Sequence, residues 1–387
     1  MKELERIKAL EEVSLQLEPG DNQYKHWWEA IQQYTNHYLE DTANGKAWKG
    51  NHEATKELLK YPIQESPRSI SELLTLLKRH VDSAGINAAS GGHMAYIPGG
   101  GIYPTALGDF IAAVTNHYAG VYFGGPGAVR MENMLIRWLC DLMGYPKTAL
   151  GNLTSGGSIA NLIAITTARD AKKITPERIQ QSVIYLTEQA HHSIQKAIRI
   201  AGLNDCKLHY IPIDDTFRMD IEKLDAAIQK DLMAGLNPFL IVASAGTTDT
   251  GAIDPLDAIA DTAQQHDLWF HVDAAYGGFF IMVDRLKEKF KGIERSDSIT
   301  IDPHKSLFLA YGTGAVLIKN VKALQDTHYY AAPYMQDTKD EIAEISPADL
   351  SPELTKHYRG MRMWLPLQLF GTKPFEACLE EKVMLCR

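Results

Sequence analysis

The sequence predicts an α/β protein, with a mostly parallel central sheet flanked by helices and a helical arm before it. Three observations carry that expectation. Between Ser182 and Ile318, short β-prone runs alternate with amphipathic helical stretches, and such alternation implies βαβ units on a parallel sheet. Two of the β-prone runs, 268–272 and 298–301, each run out toward a charged residue, Asp273 and Lys305. At 387 residues the chain can also bury a large core. Open α/β sheets gather their chemistry outside the carboxyl ends of the strands. Asp273 and Lys305 therefore mark the working edge.

In chain order, the first 80 or so residues read as helices joined by loops. Trp27, Trp28, Ile31, Tyr34 and Tyr38 fall at helical spacing within 24–38, a packing face. Further helices are expected over 53–59 and 69–81, the latter opened by a capping box at Ser69 and Glu72. From 85 to 127 glycine, proline and aromatic residues dominate, which reads as irregular loops walling a ligand. An amphipathic helix is expected over 129–143, and an apolar one over 162–171. Strands follow at 182–186, 207–213, 238–243, 268–272, 298–301 and 315–318, with helices at 191–201, 221–233 and 256–266 between them. Beyond 318, loop composition dominates to about 354, and a last helix begins near Phe375.

Composition excludes several classes. With 45% hydrophobic and 22% charged residues the chain reads as globular. A net charge of -9 argues against nucleic acid as a partner, because phosphate backbones want a basic surface. Cys140, Cys206, Cys378 and Cys386 show no CxxC spacing, so reduced thiols are expected rather than a disulfide frame, and no metal site is expected. The charged N-terminus lacks an apolar signal core, and no apolar run approaches a membrane span, so the cytosol is the expected compartment.

The chemistry sits in the pair of strand-end residues. A single strand-end Asp is usually a turn former, and a single Lys is usually solvated. Together at one sheet edge they suit pyridoxal 5'-phosphate (PLP), which takes a lysine amine as a Schiff base and a carboxylate to keep its ring nitrogen protonated. A second signal stands at Thr154-Ser-Gly-Gly-Ser158, leading into an apolar helix. Backbone N–H groups at a helix start attract an anion, and Ser155 and Ser158 can add hydroxyl donors. No Gly-Lys-Ser/Thr ending follows, so this is not a nucleotide P-loop. An ordinary glycine-rich turn with a serine cap stays open for this stretch alone.

Thr154-Ser-Gly-Gly-Ser158, Glu188-Gln-Ala-His191, Gly246-Thr-Thr248, His271-Val-Asp-Ala-Ala-Tyr276 and Asp302-Pro-His-Lys305 occur in that order. Together they resemble the PLP-dependent group II amino-acid decarboxylases, the aromatic-L-amino-acid and glutamate decarboxylase relatives, over most of the chain. The resemblance implies a fold type I PLP-dependent transferase-like architecture. It divides the chain into an N-terminal helical arm at 1–98, a large PLP-binding domain at 99–366 and the start of a truncated C-terminal small domain at 367–387. It implies that Lys305 carries the cofactor, Asp273 pairs with the ring nitrogen, His191 stacks on the ring face and Ala275 packs on the other. Thr247 would sit near the ring oxygen or Asp273, while Ser155, Gly156, Gly157, Ser158 and His304 would hold the phosphate. Tyr334 would be the general acid on a mobile loop. His93, Met94 and Tyr103 would line the substrate pocket. They form no basic cluster, which favours an aromatic or other apolar L-amino acid.

The implied activity is decarboxylation of an L-amino acid to its amine and CO2 by a homodimer. The alternatives are a decarboxylation-linked aldehyde synthase or another PLP chemistry, and a catalytically impaired, truncated PLP-binding fragment. Tyr334 speaks against the synthase, whose relatives carry phenylalanine there. A nucleotide-binding protein is a distant further alternative. Two residues depart from the pattern: Asp302 stands where many aromatic-type relatives have asparagine, and Ser306 replaces a bulky apolar residue. An acid beside a phosphate is expected to point away from it.

Overall fold

The computed structural model describes residues 2–42, 44–97, 99–330 and 344–386. The chain forms two compact units, Met1–Tyr96 and Ile97–Arg387.

In the first unit, α1 (Lys2–Ser14) and α2 (Asp21–Thr42) precede β1 (Trp48–Gly50), α3 (His52–Glu57), α4 (Ile70–His80) and β2 (Ala84–Ile86). The capping box forms: Ser69 Oγ accepts from the Glu72 N–H, and the Glu72 carboxylate accepts from the Ser69 N–H at 2.8 Å. The Ser69 hydroxyl also donates to that carboxylate at 2.7 Å, and this bond, with the one from the Ser69 N–H, holds the acid's pKa below the ordinary value. β1 and β2 pair antiparallel, a ribbon that the helix-and-loop expectation for this region did not contain.

The second unit opens with α5 (Tyr103–Thr115), α6 (Pro126–Leu142), β3 (Leu150–Thr154) and α7 (Gly157–Ala171). The alternating stretch follows as β4 (Ser182–Leu186), α8 (His192–Ile200), β5 (Lys207–Tyr210), α9 (Ile221–Met233), β6 (Asn237–Ser244), α10 (Leu256–Gln265) and β7 (Trp269–Asp273). Then come β8 (Ser298–Ile301), α11 (Pro303–Ser306), β9 (Gly314–Ile318), α12 (Val321–His328), α13 (Gly360–Phe370) and α14 (Lys373–Leu385). The sheet order is β3-β9-β8-β7-β6-β4-β5. Its run from β8 to β5 is parallel, while β9 pairs antiparallel with both β8 and β3.

Every residue of β3, β4, β7, β8 and β9 is buried, as expected of a sheet covered by helices. The core is continuous from Leu135 on α6 through the strands to Leu379 on α14. Removing one of its large members, such as Phe239 or Phe279, would cost about 3–5 kcal/mol through lost transfer energy and a cavity.

Two regional expectations are corrected. Residues 85–127 are not all loop, for α5 lies inside them. Pro104 starts it, and its small buried face (Thr105, Gly108, Ala112) packs against α13. A Cβ at Gly108 would fall 2.4 Å from the Met361 carbonyl oxygen, so glycine here serves a close helix crossing rather than a flexible turn. Likewise α12 interrupts the stretch expected to be loop after 318. Its Leu324 is buried, and the Asn320 side chain accepts from the Lys322 N–H at its start. Local composition does not show either packing partner.

Candidate active site

Register sets the working edge. β6, β7 and β8 run parallel, with Ser244 opposite Asp273 and Asp273 opposite Thr300. The parallel strands therefore release the Gly246-Thr247 turn, Asp273 and the α11 segment at one edge. Asp273 is the last residue of β7, and Lys305 sits in the short helix just after β8.

Asp273 is buried and held from two sides. The Ala275 N–H donates to Oδ1 at 3.0 Å and the Asn161 amide donates to Oδ2 at 3.0 Å. His191 is the N-cap residue of α8, and its Nδ1 accepts from the Ser193 N–H at 3.3 Å. Burial first, then the neighbouring His192, pushes the His191 pKa below the ordinary value, while Asp273 and Asp302 oppose that shift. A neutral imidazole is favoured.

Lys305 Nζ lies 3.0 Å from Asp302 Oδ2. Asp302 is 1% exposed, and its Oδ1 has no hydrogen-bond partner among the described residues. This acid faces the lysine. Burial raises its pKa, with Lys305 and His304 pulling the other way. Two glycines make room for it. A Cβ on Gly314 would fall 2.5 Å from Asp302 Oδ1, and one on Gly157 2.8 Å from Oδ2. Gly156, at φ +154, lets His304 approach, since a Cβ there would sit 3.2 Å from its Cε1. His304 Nδ1 donates to the Thr313 carbonyl at 2.7 Å, which turns Nε2 toward the cradle side, 4.0 Å from Asp302 Oδ2.

The remaining expected residues divide. Ser155 and Ser158 are exposed beside the start of α7, and Ala275 is buried. Thr247 is buried, but its hydroxyl closes its own turn, 2.7 Å from Thr250 Oγ1 and accepting from the Ala252 N–H. Among the described residues it makes no hydrogen bond to Asp273. Ser306 Oγ donates to the Tyr276 carbonyl at 2.5 Å, tying α11 to the loop after β7. Tyr103 opens α5, next to Ile102, whose N–H donates to the Phe308 carbonyl just past Lys305. His93 and Met94 belong to the first unit, where His93 stacks on Tyr96. Tyr334 lies outside the described residues.

Sequence reading passed over Asn161 and Ser193. Asn161 stands one helical turn after Gly157, a spacing that returns it to the face of the α7 start, and this was the available signal. Ser193 stands two residues past His191 and offered none.

PLP fits this edge on the structure's own terms. It finds a half-buried amine, a buried carboxylate fixed by two donors, the first-turn N–H groups of α7 in a cradle that a Cβ would fill, and an imidazole beside them. When bound, the cofactor supplies an electron sink. A parallel α/β sheet with lysine and carboxylate at one edge above an anion seat defines a PLP-dependent enzyme.

Comparison with known proteins makes this specific. Residues 53–387 match the pyridoxal-dependent decarboxylase conserved domain. An aromatic-L-amino-acid decarboxylase from Bacillus atrophaeus is 34% identical over 84% of this chain and 67% of its own length. A phenylacetaldehyde synthase from Petunia hybrida is 29% identical, over 80% of this chain and 63% of its own. The crystal structure of mouse CSAD superposes with a TM-score of 0.85 at 26% identity, covering 95% of this chain and 78% of that one. This chain belongs to the pyridoxal-dependent decarboxylase family, the PLP-dependent carboxy-lyases. It spans about two thirds of the length of the curated relatives it matches.

Proposed function

We propose that the protein decarboxylates an L-amino acid to the corresponding amine and CO2, with an aromatic or other apolar side chain as the preferred substrate class. The observation that carries this reading is the convergence of Lys305, Asp273 and His191 at one sheet edge beside the α7 anion seat. Lys305 would carry the cofactor, and Asp273 would pair with its ring nitrogen. His191 and Ala275 would flank the ring. Gly156, Gly157, Ser155, Ser158 and His304 would hold the phosphate. His191 would help to orient the substrate carboxylate, so that the bond to be broken stands perpendicular to the ring. Tyr334 would return the proton to the substrate carbon, and Tyr103 would contact the side chain.

The apolar preference is supported by the similarity to the Bacillus atrophaeus enzyme. A homodimer is supported by α1, whose Leu4, Ile7, Leu10 and Val13 leave an apolar stripe about 60% exposed. A cytosolic location is supported by the unpaired thiols, of which Cys140 and Cys206 are buried and pushed up to about 12 by that burial. Among the described residues no helix is long and apolar enough to cross a membrane.

The test is CO2 release over a panel of L-amino acids by the PLP-loaded protein, with hydrogen peroxide and ammonia measured alongside. Amine and CO2 alone support the decarboxylase. Peroxide and aldehyde in step with CO2 would make it the synthase, the reading that the Petunia hybrida relative keeps in view. PLP bound without CO2 from any amino acid would sink both.

A further inference from the structure

Asp273 and His191 lie on different strand-to-helix connections, yet a continuous run of hydrogen bonds, buried as far as Ser193, joins them. As a carboxylate, Asp273 only accepts. The Asn161 atom 3.0 Å from Oδ2 is therefore the amide nitrogen, and the same nitrogen lies 3.0 Å from Ser193 Oγ. Asn161 Oδ1 then faces His271 Nε2 at 3.1 Å, so His271 must donate from Nε2. His271 is fully buried, and its bare Nδ1 takes the hydroxyl proton of Ser298 at 2.9 Å. Ser298 Oγ in turn accepts from the Trp269 indole N–H, which can only donate, at 2.8 Å. Each group spends its polar atoms in a single consistent direction.

On the other side the direction carries through. Ser193 Oγ accepts from Asn161, so its one proton goes to His191 Nδ1 at 2.8 Å, where the Ser193 backbone N–H also donates. His191 Nδ1 is thereby an acceptor twice over, and the ring proton sits on Nε2. Among the described residues that Nε2 makes no hydrogen bond, so it is the edge left for a ligand.

We propose that Asn161 and Ser193 are positioning residues that make Asp273 and His191 one hydrogen-bonded unit and hold His191 as the neutral Nε2–H donor. The inference rests on the assignment of Asp273 and His191 to the cofactor site. It concerns the protein's own imidazole, so it can fail while PLP binding stands, and it can hold in a protein that turns over no substrate.

The experiment is a long-range proton–nitrogen correlation spectrum of histidine-labelled, PLP-loaded protein, with His191→Asn identifying the resonances. The parent is expected to show a protonated Nε2 and a bare, hydrogen-bonded Nδ1. Ser193→Ala and Asn161→Leu should move the Nδ1 resonance toward that of a free acceptor, and Ser193→Thr should restore it. Asn161→Leu should also weaken PLP binding roughly tenfold, the scale of one lost hydrogen bond to a charged group. Ser193→Ala removes a single oxygen and decides the matter alone should Asn161→Leu fail to fold. A protonated Nδ1 in the parent, or an Nδ1 resonance unmoved by Ser193→Ala, would overturn the proposal.

Discussion

Around Asp273, the side chains of Asn161, His271, Ser298, Trp269 and Ser193 use their polar atoms on one another. Around Lys305, by contrast, Asp302 Oδ1 and Thr313 Oγ1 are buried without a partner among the described residues. Under the proposed function the two sides of the edge would have different tasks. A carboxylate that must meet a ring nitrogen has to be in place beforehand, and a satisfied network in a low-dielectric interior does that. The lysine side must exchange one bonded partner for another. A buried acid at 3.0 Å with a spare oxygen leaves room for a proton and an anion to arrive.

The sharpest way to break this contrast is Lys305→Ala. It should abolish the visible band of the PLP-loaded protein and cut turnover by on the order of a thousandfold or more. A retained band in the folded variant would place the lysine outside the chemistry.

Asn161→Leu attacks the closed side. It orphans Asp273 Oδ2 and His271 Nε2, so the unfolding free energy in urea should fall by about 2–3 kcal/mol. A loss no larger than that of an exposed-site change would mean the network does not hold the fold.

The third prediction uses pH. Burial depresses the His271 pKa from 6.5 to about 4. A group depressed in the folded state contributes stability above its unfolded pKa, and that contribution is lost as pH falls through the folded value. Stability should therefore decline between pH 6.5 and 4, by about 2–3 kcal/mol from this residue. His328, pushed down to about 4 by its own burial, adds to the decline. His271→Gln, which keeps a donor near the Nε2 position, should make the decline shallower. An equal slope in parent and variant would remove His271 from the account.

The smallest effect is expected on the open side. Asp302→Asn removes a negative charge beside the α7 start, and PLP affinity should rise by about 1 kcal/mol, read by equilibrium titration. A large loss of affinity would instead make the carboxylate essential.

Much of this was legible in order along the chain. Asp273 ends a β-prone run, and Lys305 follows another. The glycine pair precedes an apolar helix, and His191 stands at a helix start; each carries its signal within a few neighbours. The parallel strands were legible for the same reason, since apolar runs of that length must be buried on both faces. The antiparallel strand β3 was not, because its five residues resemble the glycine-rich loop they lead into. Helix α5 was hidden as well, since its glycine and small residues have meaning only against α13.

By itself, then, the sequence determined the sheet's direction and the identity of the groups delivered to its edge, because period and turn chemistry act over short range. Only the tertiary structure decided how those groups are held. Asn161 meets Asp273 across 112 residues and His271 across 110, and hydrogen bonds at such separations leave no local pattern. Asp302 teaches the same lesson at short range. Three residues from Lys305, it was readable as an acid out of place, but only the fold shows it beside the lysine, in space that Gly157 and Gly314 leave open. Those glycines open a helix and a strand far apart in sequence, which only the folded sheet brings together.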